Sequence, residues 1–131
     1  MRIKQISVFI ENKPGRLEDI LEALLNAQIN IRALSISETG DFGIVRMVLP
    51  NGEDGQKSLR EAGFTTKIDN ILSYYMPDVP GGLLNNVIKP LADAKVNLKY
   101  FYAYTEPSTQ QAVLVLKPDD LEKAESILQL T

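Results

Sequence analysis

The chain of 131 residues contains no cysteine, no histidine and no tryptophan. Without cysteine there is no disulfide, no thiolate nucleophile and no sulfur ligand for a metal. Without histidine, the usual zinc sites, Ser-His triads and general bases poised near neutrality are missing. These absences remove much of enzyme chemistry before any motif is read. Positive charge is also short: 14 Lys and Arg against 17 Asp and Glu leave a net charge of −3. That balance argues against nucleic acid, which demands a basic face. No apolar run approaches the roughly 20 residues of a membrane span, so no membrane partner is expected. Met1-Arg2-Ile3-Lys4-Gln5 enters a strand pattern directly, without the hydrophobic region of a signal peptide, and a cytoplasmic location is expected.

What is present is one motif, twice. Asn12-Lys13-Pro14-Gly15-Arg16-Leu17 follows one strand-like run, and Asp78-Val79-Pro80-Gly81-Gly82-Leu83 follows another. Each is a short polar turn between a strand pattern and an amphipathic helix pattern. Pro fixes one backbone angle, and Gly admits φ > 0 and close approach of another molecule. The helix start that follows carries free N–H groups and partial positive charge, a ready site for a small carboxylate.

In order, Ile6, Val8 and Ile10 alternate with Gln5, Ser7 and Phe9, a half-buried strand. Leu17, Ile20, Leu21, Leu24 and Ala27 repeat at helical spacing. Ile31 to Ser37 and Ile44 to Leu49 read as strands joined by a hairpin through Gly40. Glu53 to Ala62 reads as a helix ended by Gly63, and Phe64 to Ile68 as a fourth strand. The order is βαββαβ, the ferredoxin-like pattern. After a minimal break at Asp69-Asn70 it restarts. Ile71 to Met76 is a strand, Leu83 to Lys95 a helix, Asn97 to Tyr104 and Gln111 to Leu116 a hairpin pair across Pro107, and Asp119 to Gln129 a helix. The expected fold is therefore α+β, two tandem ferredoxin-like domains with antiparallel sheets, spanning residues 1–69 and 70–131.

The repeat is visible residue by residue. Asn12, Pro14, Gly15 and Leu17 match Asp78, Pro80, Gly81 and Leu83. Ala27, Ile29, Asn30 and Ile31 match Ala94, Val96, Asn97 and Leu98. The second copy carries one extra residue between the turn and Asn97, and its helix contains Pro90, which predicts a kink or bulge. It also lacks most of its last strand, since only Leu130-Thr131 follow the final helix, so one sheet edge is expected to be open or filled by another segment.

Alternation assigns faces. In the second copy Leu72, Tyr74, Met76, Phe101, Ala103, Leu114 and Leu116 are expected to face the helices. Tyr75, Tyr100, Tyr102, Tyr104, Val113 and Val115 make the other face, too apolar to be left in water, which suggests packing on a second chain. A homodimer or higher homo-oligomer is expected.

With the repeat and the turns established, the chain resembles the ACT-domain family over nearly its whole length, as two tandem copies. The resemblance rests on FIENKPGRLEDILEALLNAQINI (Phe9 to Ile31) and YMPDVPGGLLNNVIKPLADAKVNL (Tyr75 to Leu98). It implies βαββαβ regulatory modules that bind amino acids where the turn of one domain meets a neighbouring domain. In serine-regulated phosphoglycerate dehydrogenases the Asn of the turn and the Asn after the first helix contact the ligand. Those roles map onto Asn12 and Asn30, and onto Asp78 and Asn97. The implied site comprises Asn12, Pro14, Gly15, Arg16, Leu17, Asn30 and Ile31, with Asp78, Val79, Pro80, Gly81, Gly82, Leu83, Asn97 and Leu98 in the second copy. The family's histidine before the turn is Ile10 here and Met76 in the second copy, which suggests a more apolar ligand than serine.

The first half also looks like the regulatory subunit of acetolactate synthase, which would make a biosynthetic enzyme the partner. Two other classes stand further off. Arg16 near Asn12 loosely imitates acylphosphatase, which shares the fold. Tyr100, Phe101, Tyr102 and Tyr104 resemble an RNA-stacking platform, against the charge balance. The expected protein is a non-catalytic amino-acid sensor with no catalytic residues, no cofactor and no metal.

Overall fold

The computed structural model describes residues 1–106 and 108–129, with Glu106 described in its backbone alone; the expectations for Pro107 and for Leu130-Thr131 lie outside the described residues. The elements run β1 (Arg2–Glu11), α1 (Arg16–Asn26), β2 (Ala33–Thr39), β3 (Phe42–Val48), α2 (Gly52–Glu61) and β4 (Thr65–Pro77). A π-helical turn (Leu84–Ile88) follows, leading into α3 (Lys89–Asp93), β5 (Leu98–Glu106), β6 (Gln111–Pro118) and α4 (Leu121–Leu128). This is an α+β fold with antiparallel sheet pairing, a βαββαβ run followed by a second βαββα run that begins within the same long β4. Chain contacts divide it into two units, Lys4–Asn70 and Met1–Ile3 with Ile71–Thr131.

In the unit Lys4–Asn70 the strand order is β2-β3-β1-β4. β1 sets Ile6, Val8 and Ile10 against Ile20 and Leu24 of α1 and Leu59 of α2 in one apolar core. Gly55 lets α2 lie close: a Cβ there would stand 2.3 Å from Leu49 and 3.2 Å from Ile6. Alternation marked Gln5 and Ser7 as the wetter side of the strand, yet they are 0% and 6% exposed; only Phe9, at 45%, is open. A central strand is buried on both faces, so alternation fixed the sides of β1 but not their exposure.

Helix ends follow local chemistry. The Asn51 side chain accepts from the N–H groups of Glu53 and Asp54 at 3.1 Å and caps α2. At its other end Gly63, with φ +93°, donates to Arg60 O while Phe64 donates to Leu59 O, as expected of a glycine placed just beyond a helix. Gln28 and Lys95 take the same left-handed position after α1 and α3.

The second unit orders its strands β4-β6-β5, with the first residues of β1 beside β4. Met1 and Ser73 exchange two bonds: the terminal ammonium donates to Ser73 O at 3.0 Å, and Ser73 N–H donates to Met1 O at 2.8 Å. Arg2 then pairs with Glu125 of α4, its guanidinium 2.6 Å from the carboxylate. The fourth-strand position of the second copy is thus taken by the chain's own first residues. The division between the two units falls just after Asp69-Asn70 without interrupting the strand. β4 passes through both residues as a single strand, Thr65–Pro77.

Leu72, Met76, Leu114 and Leu116 enter the core with Val87, Leu91 and Leu128, and Tyr74 packs on it. Phe101 and Ala103 do not. They lie on the expected face, paired with Leu116 and Leu114, but Phe101 is 42% exposed because β5 is an edge strand. On the other face Val113 and Val115 are buried and Tyr100, Tyr102 and Tyr104 half-buried; only Tyr75 stands well into solvent. That face is less open than alternation suggested.

The expected kink in the second copy is a π-helical turn. Leu17 corresponds to Leu83, but the buried Ile20 corresponds to Val87, one residue further along. The extra residue falls between them, where i→i+5 bonding accommodates one more residue per turn; Lys89 N–H donates to Leu84 O. Pro90 has no N–H to give the carbonyl of Asn86, which favours leaving the α pattern at this point. The Asn86 side chain donates to Gly82 O at 2.9 Å and satisfies a carbonyl of the widened turn.

Candidate functional site

The two Pro-Gly turns have the same hydrogen-bond frame. In the first, Asn12 N–H donates to Asp41 O, Lys13 to Glu11 O, Arg16 to Lys13 O and Asp19 to Gly15 O. In the second, Asp78 donates to Gln110 O, Val79 to Pro77 O, Gly82 to Val79 O and Asn85 to Gly81 O. Gly15 and Gly81 both sit at positive φ, +91° and +77°. Each frame ties its turn to the hairpin of its own copy. Each also leaves three amide N–H groups at the helix start without a backbone acceptor among the described residues: Gly15, Leu17 and Glu18, and Gly81, Leu83 and Leu84.

The side chains diverge. Asn12 Nδ2 donates to Glu38 Oε2 and to Gly40 O, both at 3.1 Å, clasping the β2–β3 hairpin. Asp78 has no donor and makes no such clasp. Arg16 pairs with Asp19 at 3.1 Å and lies over the Phe64 ring, its guanidinium carbon 5.4 Å from the centroid. With Asp19, Glu22, Ala23, Asn26 and Ala62 these two line an open groove of about 280 Å³ between α1 and α2. The place of Arg16 is taken in the second copy by Gly82, where a Cβ would stand 2.8 Å from Met76 Cε and 3.0 Å from Pro77 O. Periodicity could not reveal the clasp, which joins residues 26 and 28 places apart; the crowding at Gly82 lies within six residues but follows from how the turn folds, not from spacing.

Pro14 and Gly15 are exposed, as are Val79 and Pro80; Leu17 and Leu83 close the turn against the two cores. Asn30 is exposed after α1, and Ile31 packs on the first core. Asn97 exchanges bonds with Asp119, its N–H donating to the carboxylate at 3.1 Å and its carbonyl accepting at 2.9 Å; Leu98 packs on the second core. Asn12 and Asn30 therefore lie at opposite ends of α1, whose 11 residues span about 16 Å at 1.5 Å each. One small ligand does not reach both within a single copy. The acidic pair at the last helix is structural: Asp119 holds Asn97, and Asp120 caps α4 through Lys123 N–H at 3.0 Å. Among the described residues no His, Cys, Asp and Glu cluster has the makings of a metal site, and no helix is long and apolar enough to cross a membrane.

Comparison with known proteins adds to this geometry. The family described as an ACT domain pair matches residues 1–131. The crystal structure of a Bacteroides thetaiotaomicron protein superposes with TM-score 0.92 at 32% identity, covering 98% of this chain and 88% of that one. The ligand-free regulatory subunit of aspartate kinase from Thermus thermophilus gives TM-score 0.66 at 17% identity, over 96% and 88% of the two chains. Its counterpart from Thermus flavus gives 0.63 at 15%, with the same coverage. At those identities the aspartate kinase subunits are alike in fold. No curated protein sequence matches the chain.

Proposed function

The chain belongs to the ACT domain pair family, and from that premise we propose that it is a non-catalytic sensor, built to bind an amino acid at its Pro-Gly turns and to regulate a biosynthetic enzyme. The observation that carries this reading is the duplicated frame: two turns with matching bonds, each presenting at a helix start three amides that have no backbone acceptor among the described residues. Those amides suit the carboxylate of an amino acid. In the second copy the Asp78 carboxylate is placed to accept from the ammonium group; in the first, Asn12 keeps its carbonyl oxygen for that purpose. Ile10 and Met76, apolar where the family carries histidine, are buried in the two cores and offer no polar contact, which speaks against serine as the ligand. Because α1 separates Asn12 from Asn30, a ligand touching both takes them from two chains, and the working form is a homodimer. The lack of histidine and cysteine supports a regulatory rather than a catalytic role, and a cytoplasmic location accords with it.

The test is titration calorimetry and thermal shift with the twenty amino acids. A binder at 100 times its Kd adds about 2.7 kcal/mol to stability. Asn12→Ala and Asp78→Ala weaken that shift. Unchanged affinity in both variants overturns the site, and no response to any amino acid overturns the function.

A further inference from the structure

α1 and α2 end at the same place. The groove that begins at Arg16 and Phe64 runs on into a second hollow of about 420 Å³, lined by Ala23, Asn26, Ala27, Ser58, Glu61 and Ala62. All six come from the last turn and cap of α1 or the last turn and cap of α2. A helix carries partial negative charge at its C-terminus, so two such ends make the hollow favourable to a cation. α1 has no basic residue in its last turn to answer its own dipole. Alanine at positions 23, 27 and 62 leaves the space between the helices unfilled.

Carboxylates add to this from both walls. Glu22 of α1 lines the first hollow and Glu61 of α2 the second, and the two hollows share Ala23, Asn26 and Ala62. Asp19 is answered by Arg16. Among the described residues Glu22 and Glu61 have no ion-pair partner, and the Asn26 and Ser58 side chains make no hydrogen bond. Lys57 stands four residues before Glu61, the weaker order for a helical pair, and forms none with it. Arg60 sends its Nε to Thr66 Oγ1 at 3.2 Å.

We infer that this hollow is the docking point for an arginine side chain of a partner polypeptide. Its methylene stem lies over Ala23 and Ala62, and its guanidinium sits between Glu22 and Glu61, with the Asn26 and Ser58 oxygens as further acceptors. A planar fork of five donors serves acceptors on two walls better than a compact ammonium does. The hollow is open on one side, which selects the source. A free small cation laid in it keeps much of its surface in water, whereas small-molecule sites bury about 70–90% of theirs. An arginine delivered by a larger surface has its remaining sides covered by that surface, as the central anchors of interfaces do. Leu25, one turn from Glu22 on α1 and 72% exposed, gives that surface an apolar neighbour to cover. In so far as the regulatory reading holds, the partner is the regulated enzyme; the hollow itself does not depend on it.

The second copy does not repeat the arrangement. Counted from the equivalent Leu24 and Leu91, Lys89 stands where Glu22 does and Pro90 where Ala23 does. Counted from the caps Asn51 and Asp120, Ile127 replaces Ser58.

The probe is a capped pentapeptide with one central arginine among alanines, followed by amide NMR of the intact chain. Saturable shifts are expected at Ala23, Ala27, Glu61 and Ala62, and none with the citrulline counterpart, which keeps the shape and loses the charge. Glu22→Gln and Glu61→Gln are each expected to raise the peptide Kd roughly two- to fivefold, and Lys89→Gln to leave it unchanged. Ala62 is an exposed cap with φ −81°, a backbone that leucine also adopts, so Ala62→Leu fills the hollow without altering charge and is expected to abolish the shifts. Equal shifts with citrulline, indifference to both glutamine variants, or no saturable shift at any soluble concentration overturns the arginine pocket. Ethylguanidinium or free arginine binding as tightly as the peptide overturns the polypeptide source. Amino-acid affinity at the turns, read by calorimetry, is expected to be the same in these variants, so the two readings fail separately.

Discussion

Gly15 and Gly81 occupy the same backbone conformation in the same hydrogen-bond frame, yet the residues three places before them act differently. Asn12 clasps the β2–β3 hairpin through its amide; among the described residues Asp78 holds its hairpin through its backbone N–H to Gln110 O. The residues just after the two glycines differ more: Arg16 projects over Phe64, while Gly82 is buried where no side chain fits. The backbone of the motif is shared between the copies, and its side chains have been reassigned. The frame that offers amides is common to both turns, whereas anything that distinguishes ligands must come from positions where the copies have parted.

The comparison is broken or sharpened first in the cores. Leu24 and Leu91 are equivalent and each 1% exposed. Leu24→Ala and Leu91→Ala are each expected to cost about 2–5 kcal/mol in denaturant unfolding, and by similar amounts. A severalfold inequality would break the equivalence. Next come the residues after the turn glycines. Gly82→Ala forces a methyl against Met76 and Pro77 O and is expected to cost about 1–3 kcal/mol. Arg16→Ala loses an exposed ion pair and a cation–ring contact, about 0.5–1 kcal/mol. The clasp is third. In the ligand-free protein Asn12→Ala is expected to lower stability by about 1 kcal/mol, and Asp78→Ala to leave it nearly unchanged, as read by thermal shift.

The smallest effect is with pH. Hydrogen bonding to Arg2 holds the Glu125 carboxyl below its usual range, and Lys4 does the same for Glu53 in the other unit. A lowered folded pKa gives stability that is complete above the unfolded value and lost as pH falls through the folded one. Acid is therefore expected to weaken both units slightly below the ordinary carboxylate range. Glu125→Gln should flatten that part of the pH–stability curve for the second unit.

The repeat, the element order and the turns were all legible, because Pro-Gly and apolar periodicity are local signals. So was the irregular helix, from Pro90 and one surplus residue; that it takes the form of a π-helical turn depends on which carbonyl each amide reaches, as Lys89 N–H reaches Leu84 O. Exposure was less legible. Alternation gives Phe101 and Gln5 a side of the sheet, but an edge leaves Phe101 open while a central position buries Gln5. The partners of Asn12 lie 26 and 28 residues away, beyond any periodic signal. The resemblance named Asn12 and Asn30 as joint contacts, and only the length of α1 shows that one copy does not bring them to one small molecule.

Met1–Ile3 belong by their contacts with the half of the chain that begins at Ile71. The duplication is thus not two interchangeable cassettes. A gene split or recombined at Asn70 would give a second product short of the strand beside Ser73 and of the arginine that meets Glu125. Such a fragment is expected to regain its order when a peptide of the first few residues is supplied in trans.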